Sequence, residues 1–307
     1  MHRLLLVPLL VLASCSAPVT SAGSPTDTPM ASPSPTRQTI TKDAHEFPSP
    51  LEQAPRSAAK VARQVTRVQE LLPPMIERWA EEGGGLRSEL GKEVRRGALW
   101  QQKLYRSTSH KERRAKRVLA RLSPRHARIL RRHVVVQQRL SSLVTPVKLP
   151  IEWKTYRPAS PHKLLRFYRA GERRFDVPWE VLASVNSIES RFGRILGPSS
   201  AGALGPMQFM PATWDAYGGG GDIMDPHDSI IAAARYLAAS GAPENMRGAL
   251  FAYNRSDEYV DAILGYANQM KRDARYYYAY YFWEVYVRTV KGDKQLTGPG
   301  GIRGPRN

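Results

Sequence analysis

The 307-residue sequence predicts an all-α protein, and three patterns lead there. Apolar residues recur at steps of three and four, the spacing that puts them on one helical face. Ser-Pro and Asp-Pro pairs stand where those stripes begin, as a cap followed by a first-turn proline. Glycines stand where the stripes end. At 42% apolar and 24% charged residues, the chain has enough core-forming material to exclude both a fully disordered protein and a polytopic membrane protein. A single cysteine, Cys15, excludes a disulfide framework and a cysteine-cage metal site.

The first residues set the compartment. His2 and Arg3 precede an apolar run, Leu4 to Ala13, interrupted by Pro8. That run is too short to cross a hydrocarbon layer of about 30 Å, so residues 1–15 read as a secretory signal. Its end, Leu12-Ala13-Ser14-Cys15, resembles the bacterial lipoprotein signal, which implies lipidation at Cys15 and attachment to a membrane facing the wall. Residues 16–55 are rich in Ser, Thr, Pro and Ala and read as a disordered spacer.

Residues 56–150 form a basic helical region, a long hairpin or three helices. Val61, Val65, Val68 and Leu72 make the first stripe, which Pro73 and Pro74 should kink or stop. Gly83 to Gly85 turn the chain. Leu86, Leu90, Val94, Leu99, Leu104, Val118, Leu119 and Leu122 carry the second run, and Ser123-Pro124 opens a third with Ile129, Leu130, Val134 and Leu140. The formal charge of the whole chain is +19. Residues 86–145 hold 17 Lys and Arg against 3 Glu, a net of +14, whereas residues 160–275 hold 13 of each sign. An exported protein meets anionic wall polymers and lipid headgroups, so these are the expected partners of the basic helices. Nucleic acid is not expected, because the aromatic interleaving of single-strand binders is missing.

Residues 151–290 carry the chemistry. Ser160-Pro161 opens a helix with Leu164, Leu165 and Tyr168 inward. Asp176 is placed to cap the next, with Pro178 in its first turn and Val181, Leu182, Val185, Ile188 and Phe192 as its stripe; Gly193 should end it. Glu189 sits at the edge of that stripe, where partial desolvation raises a carboxyl pKa and keeps the proton a general acid needs. Pairing with Arg191 or Arg194 is the alternative. Residues 193–206 are a Gly-, Ser- and Pro-rich loop. Gly218 to Gly221 break the chain before Asp225-Pro226 opens another helix, which Gly241 closes. Arg247 to Tyr253 is the next helix, and Ser256 caps the last of the set.

Glu189-Ser190, Gly205-Pro206-Met207-Gln208 and Ala252-Tyr253-Asn254 resemble, in order and spacing, the three signature blocks of bacterial lytic transglycosylases. The resemblance covers residues 160–275 and is greatest to the membrane-bound type. It implies a lysozyme-like catalytic domain that cleaves the MurNAc–GlcNAc bond of peptidoglycan strands and closes a 1,6-anhydro ring. It implies Glu189 as the single acid/base. Gln208 and Asn254 would bond substrate amides, Tyr253 would wall the cleft, and Ser190 would orient Glu189 or an N-acetyl group. Met207 and Phe209 would line sugar sites. Met207, Phe209 and Trp214 suit core packing equally, and Ser190, Gln208 and Asn254 suit capping. The same fold with water as acceptor would be a muramidase. A non-catalytic glycan-binding lipoprotein is the remaining alternative.

No cofactor or metal is expected. The seven His lack zinc spacing, and relatives' Asp- and Gly-rich insert is reduced here to Gly218–Gly221 and Asp222, which argues against calcium. After residue 275 the chain is rich in Tyr, Phe and Trp. It reads as a closing helix between the module and the basic hairpin, or as a glycan-stacking platform, before a flexible tail at 291–307.

Overall fold

A computed structural model describes residues 45–148, 155–296 and 298. The signal segment, Cys15, most of the spacer and most of the expected tail lie outside the described residues. Eleven helices and one two-stranded hairpin make up the described part. The all-α class is observed, with the small hairpin as an addition.

Helices α1 (Ala58–Glu81), α2 (Glu89–Ser109), α3 (Glu112–Leu119) and α4 (Pro124–Ser142) form the basic region. Pro73 and Pro74 do not stop α1. Each removes an amide donor, but the stripe continues beyond them through Ile76 and Trp79, both buried, and that burial holds the last two turns in place. The second apolar run divides at His110 and Lys111. Just before the break, the hydroxyls of Ser107 and Thr108 donate to Leu104 O and that of Ser109 donates to Tyr105 O, side-chain bonds that compete with helix continuation. Ser88 and Ser123 cap α2 and α4, accepting from the amides of Gly91 and His126. The spacer expected to reach residue 55 ends earlier: Phe47 is buried, and Lys103 and Arg114 donate to the carbonyls of Pro50 and Pro55.

Helices α5 (Pro161–Phe175), α6 (Trp179–Ser190), α7 (Pro211–Tyr217), α8 (Pro226–Ala239), α9 (Met246–Tyr253) and α10 (Asp257–Arg272) form the second region. Asp176 does not cap α6. It ends α5 in the left-handed conformation (φ 57°), and Glu172 Oε1 accepts the Trp179 amide instead. Val177, restricted to extended backbone by the proline after it, is buried in between. Helix α6 is the centre of the region and packs on α5 and α10. Helix α10 also packs on α4, and Gly265 permits that approach, because a Cβ there would overlap Val136.

Helix α11 (Arg275–Phe282) is the aromatic segment, shorter than expected, because β1 (Tyr286–Thr289) and β2 (Gly292–Gln295) follow as an antiparallel hairpin. Residues 292–295 are thus strand and not loose tail. Tyr277, Tyr280 and Tyr281 are buried, and Tyr277 and Tyr281 donate to the carbonyls of Pro161 and Ala159. The helix packs against α1, α2, α6 and α10, so it is a plug between the two regions and not a stacking platform. One continuous apolar core runs from Phe47 to Trp283 through both regions. Glu284 joins them by polar contacts: its carboxylate takes Arg95, and its backbone exchanges two bonds with the Gln102 side chain.

Candidate active site

At the C-terminus of α6 three residues in a row, Arg191 to Gly193, leave helical backbone. Helix α6 stops at Ser190, before the expected Gly193, because Arg191 and Phe192 already adopt positive φ (52° and 61°). Such backbone is uncommon for side chains other than glycine. Ser190, fully buried, offsets it: its Oγ accepts from the Gly193 amide and donates to Pro206 O at 2.6 Å. Asn186 Nδ2 donates to the same carbonyl at 2.7 Å. Ser190 therefore ties the end of α6 to the 205–208 loop and does not face substrate. In that loop Gly205 has φ 76°, and a Cβ would overlap the carbonyl of Ile223.

Glu189 projects from this pinned end into a cavity of about 180 Å³. Its carboxyl is half-buried, and burial raises its pKa to about 8. Tyr259 from the first turn of α10 opposes that rise only in part, donating to Oε1 at 2.6 Å. Among the described residues Glu189 forms no pair with a guanidinium, the expected alternative: Arg191 Nη1 donates to Ser187 Oγ and Arg194 lies over the Tyr281 ring. A carboxyl with one hydroxyl donor at a cavity wall can give up a proton at neutral pH and take one back.

Gln208, at φ 51°, also lines the cavity, its Nε2 donating to Gly205 O at 3.0 Å. The other candidates stand behind the surface. Met207 is fully buried and its carbonyl accepts from Tyr253 OH at 2.6 Å. Phe209 is buried against Trp214 and Tyr253. Both belong to the core that backs the cleft and not to sugar sites, since their side chains have almost no accessible surface. Tyr253 is buried close enough to Glu189 for that carboxylate to help raise its phenol pKa, after burial itself. Asn254 is buried with its Nδ2 unpartnered among the described residues.

Tyr259 escaped sequence reading. Its signal was Ser256, whose Oγ accepts the Tyr259 amide and so fixes where the first turn of α10 points. The residues of the opposite wall escaped as well. Arg106 of α2, His110 just after it, Ser141 of α4, Tyr286 and Arg288 of β1 and Asp293 of β2 share the cavity with Glu189. Asp215 and Asp222 are exposed and do not line it. The second carboxylate there is Asp293, held by Arg106 and His110.

Asp225, His227 and Asp228 bring potential metal-ligand atoms within 4.8 Å of one another. Their bonds are those of a capped helix start. Asp225 Oδ1 accepts the amides of His227 and Asp228, and Asp228 Oδ2 accepts that of Asp222.

Residues 167–275 match the family model described as the transglycosylase SLT domain. The chain carries an SLT domain. Enzymes with this domain are peptidoglycan lytic transglycosylases, so the protein is a glycan-cleaving enzyme whose substrate is the cell wall. No curated protein and no solved structure matches the chain. The SLT domain begins within α5 and ends at the start of α11, so the basic helices, the plug and the hairpin all lie beyond it. Among the described residues no helix is long and apolar enough to cross a membrane.

Proposed function

We propose that Glu189 is the single acid/base of a reaction that cleaves the MurNAc–GlcNAc bond and forms 1,6-anhydroMurNAc. The carrying observation is a half-buried carboxyl on a cavity wall with its pKa raised to about 8. Protonated Glu189 gives its proton to the glycosidic oxygen as the bond to C1 breaks. The N-acetyl oxygen of the same sugar stabilises the cation at C1. Glu189, now ionised and steadied by the Tyr259 hydroxyl, takes the proton of the C6 hydroxyl, whose oxygen closes on C1. Gln208 holds a substrate amide beside the acid. Asp293 is tied to Arg106 and His110, which disfavours it as the second carboxylate of a hydrolase.

The test is mass spectrometry of sacculus digests by wild type and Glu189→Gln. The wild type releases anhydro-muropeptides and the variant loses them by about 10²- to 10⁴-fold, the usual worth of a general acid. Free reducing ends from the wild type would make the enzyme a muramidase, and full activity in the variant would remove Glu189 from the chemistry.

We infer further that Cys15 is lipidated and holds the exported enzyme at the membrane. The exposed Arg113, Arg117, Arg121, Arg125 and Arg128 of α3 and α4 and the turn joining them support anionic wall polymers or headgroups as a second attachment. Fractionation separates the two. Cys15→Ala should free the protein from membranes once salt is raised, whereas wild type stays. Equal release of both would count against lipidation.

A further inference from the structure

The wall opposite Glu189 is contributed from outside the SLT domain, and together with Arg191 on the Glu189 side it leaves the charge of the cavity unbalanced. Arg106, Arg191 and Arg288 line the cavity against one ionised carboxylate, Asp293, since Glu189 is protonated at neutral pH; 3 − 1 leaves a net of +2. Arg106 uses that carboxylate and lies over the Tyr286 ring at 4.2 Å. Burial pushes the pKa of His110 down, so it adds no charge. The hydrogen bonds that Arg191 and Arg288 make go to neutral oxygens: Ser187 Oγ at 3.1 Å and Ser141 O at 3.0 Å. Neither forms an ion pair among the described residues. Burial brings Arg191 down to about 10, and Arg106 and Arg194 add to this. A guanidinium that has lost water without gaining an anion is an unfavourable arrangement that a bound anion relieves.

We propose that this wall and Arg191 form an anion subsite of the cleft, and that Arg288 and Arg191 bind a carboxylate on the muramyl substituent of the glycan. The inference rests on Glu189 being the acid of the cleft. The sugar rings of a strand are uncharged. The carboxylates of peptidoglycan are carried on the lactyl arm or on the peptide attached to it. A strand seated with its scissile oxygen at Glu189 hangs that arm beside the muramyl ring, inside the same cavity. The hairpin bearing Arg288 is held to the chain after α4 by Val147, which donates to Arg288 O at 3.0 Å and accepts from the Val290 amide. The subsite is therefore part of the folded body.

The experiment compares kcat/KM on three glycan preparations: strands with stem peptides, strands stripped of them, and stem-bearing strands whose carboxylates are amidated. Wild type should favour carboxylate-bearing over amidated strands by about tenfold, mostly through KM, the scale of one charge-assisted bond. Arg288→Gln should bring that ratio close to one, with Arg288→Lys between them, because an ammonium restores charge but not the planar fork. In wild type the ratio should also shrink as salt rises, a readout that needs no variant. Preference for stem-bearing strands alone, or for stripped strands as well, supports the subsite and identifies the carboxylate. Equal rates on amidated and acidic strands, or a ratio unmoved in Arg288→Gln, would overturn it. Glu189→Gln and the product ends in the same digests keep the outcomes apart: cleavage lost in Glu189→Gln with no preference in wild type defeats the subsite alone, and cleavage retained in Glu189→Gln defeats the reading of Glu189.

Discussion

Glu189 in the SLT domain and His133 in the basic helices are held neutral by the same cause. Burial raises Glu189 to about 8 and lowers His133 to about 3, each away from the charged form. Their surroundings differ. Glu189 opens on a cavity and meets one hydroxyl. His133 is sealed among the rings of Tyr105, Tyr276, Tyr280 and Trp283, with Tyr280 OH at 3.2 Å from Nε2. A shifted pKa is thus no sign of chemistry by itself. It becomes one where the group can reach a substrate.

The comparison holds only if the two regions are one body, and Trp283 tests that. It is buried against Tyr105 of α2, His133 of α4, Tyr266 of α10 and Tyr280 of α11, which joins basic helices to SLT domain. Trp283→Ala should cost about 3–5 kcal/mol. Calorimetry should show one transition before and after, moved down in temperature. Two transitions, with only one displaced, would mean that the regions fold separately and meet loosely.

The same contrast explains what could be read in advance. Periodicity and capping pairs placed α4, α5, α8 and α10, because those helices are bounded by local chemistry: Ser123, Ser160, Asp225 and Ser256 each accept an amide of the turn they open. Local rules failed where tertiary contacts decided. The stripe ending in Trp79 carries α1 through two prolines, and Ser190 holds three residues, Arg191 to Gly193, at positive φ. The signature blocks pointed to Glu189 and Gln208, and both line the cavity. They could not separate cleft from core, so Met207 and Phe209 read equally as sugar contacts or as packing, and both are buried beneath the floor. The opposite wall was invisible because Arg106 lies far in sequence from Arg288 and Asp293, and no pattern ties a hairpin near the C-terminus to α2.

Tyr259→Phe sharpens the chemical side. The substitution keeps the buried ring and removes the one donor to Glu189. That donor matters most after proton transfer, when the carboxylate is charged, and a hydrogen bond to a charged group is worth about 1.5–3 kcal/mol. The expected loss in kcat is about 10- to 100-fold. The pH profile adds a sign. With Glu189 as the proposed acid, activity should fall as pH rises through about 8 in wild type. Tyr259 lowers that pKa, so the falling limb should move to higher pH in the variant. A limb that stays put while kcat drops would reduce Tyr259 to a packing residue.

Stability against pH gives the smallest effect per pH unit and the most direct comparison of the two groups. The carboxyl of Glu189 has its folded pKa, about 8, above the ordinary value of 4.5, so between those values the folded state holds a proton that the unfolded chain has released. Unfolding free energy therefore declines as pH rises across that window, by at most about 1.4 kcal/mol per pH unit for one group. His133 works in the other direction. Its folded pKa, about 3, lies below 6.5, so as pH falls from 6.5 the unfolded chain takes a proton that the folded state refuses, and stability is lost towards acid. Glu189→Gln cannot ionise and should flatten the alkaline slope while leaving the acid slope as it was. Denaturant titrations of both proteins between pH 4 and 9 measure the two slopes together. If the alkaline slope survives in the variant, Glu189 is not the group that burial holds protonated, and the contrast with His133 fails at its first term.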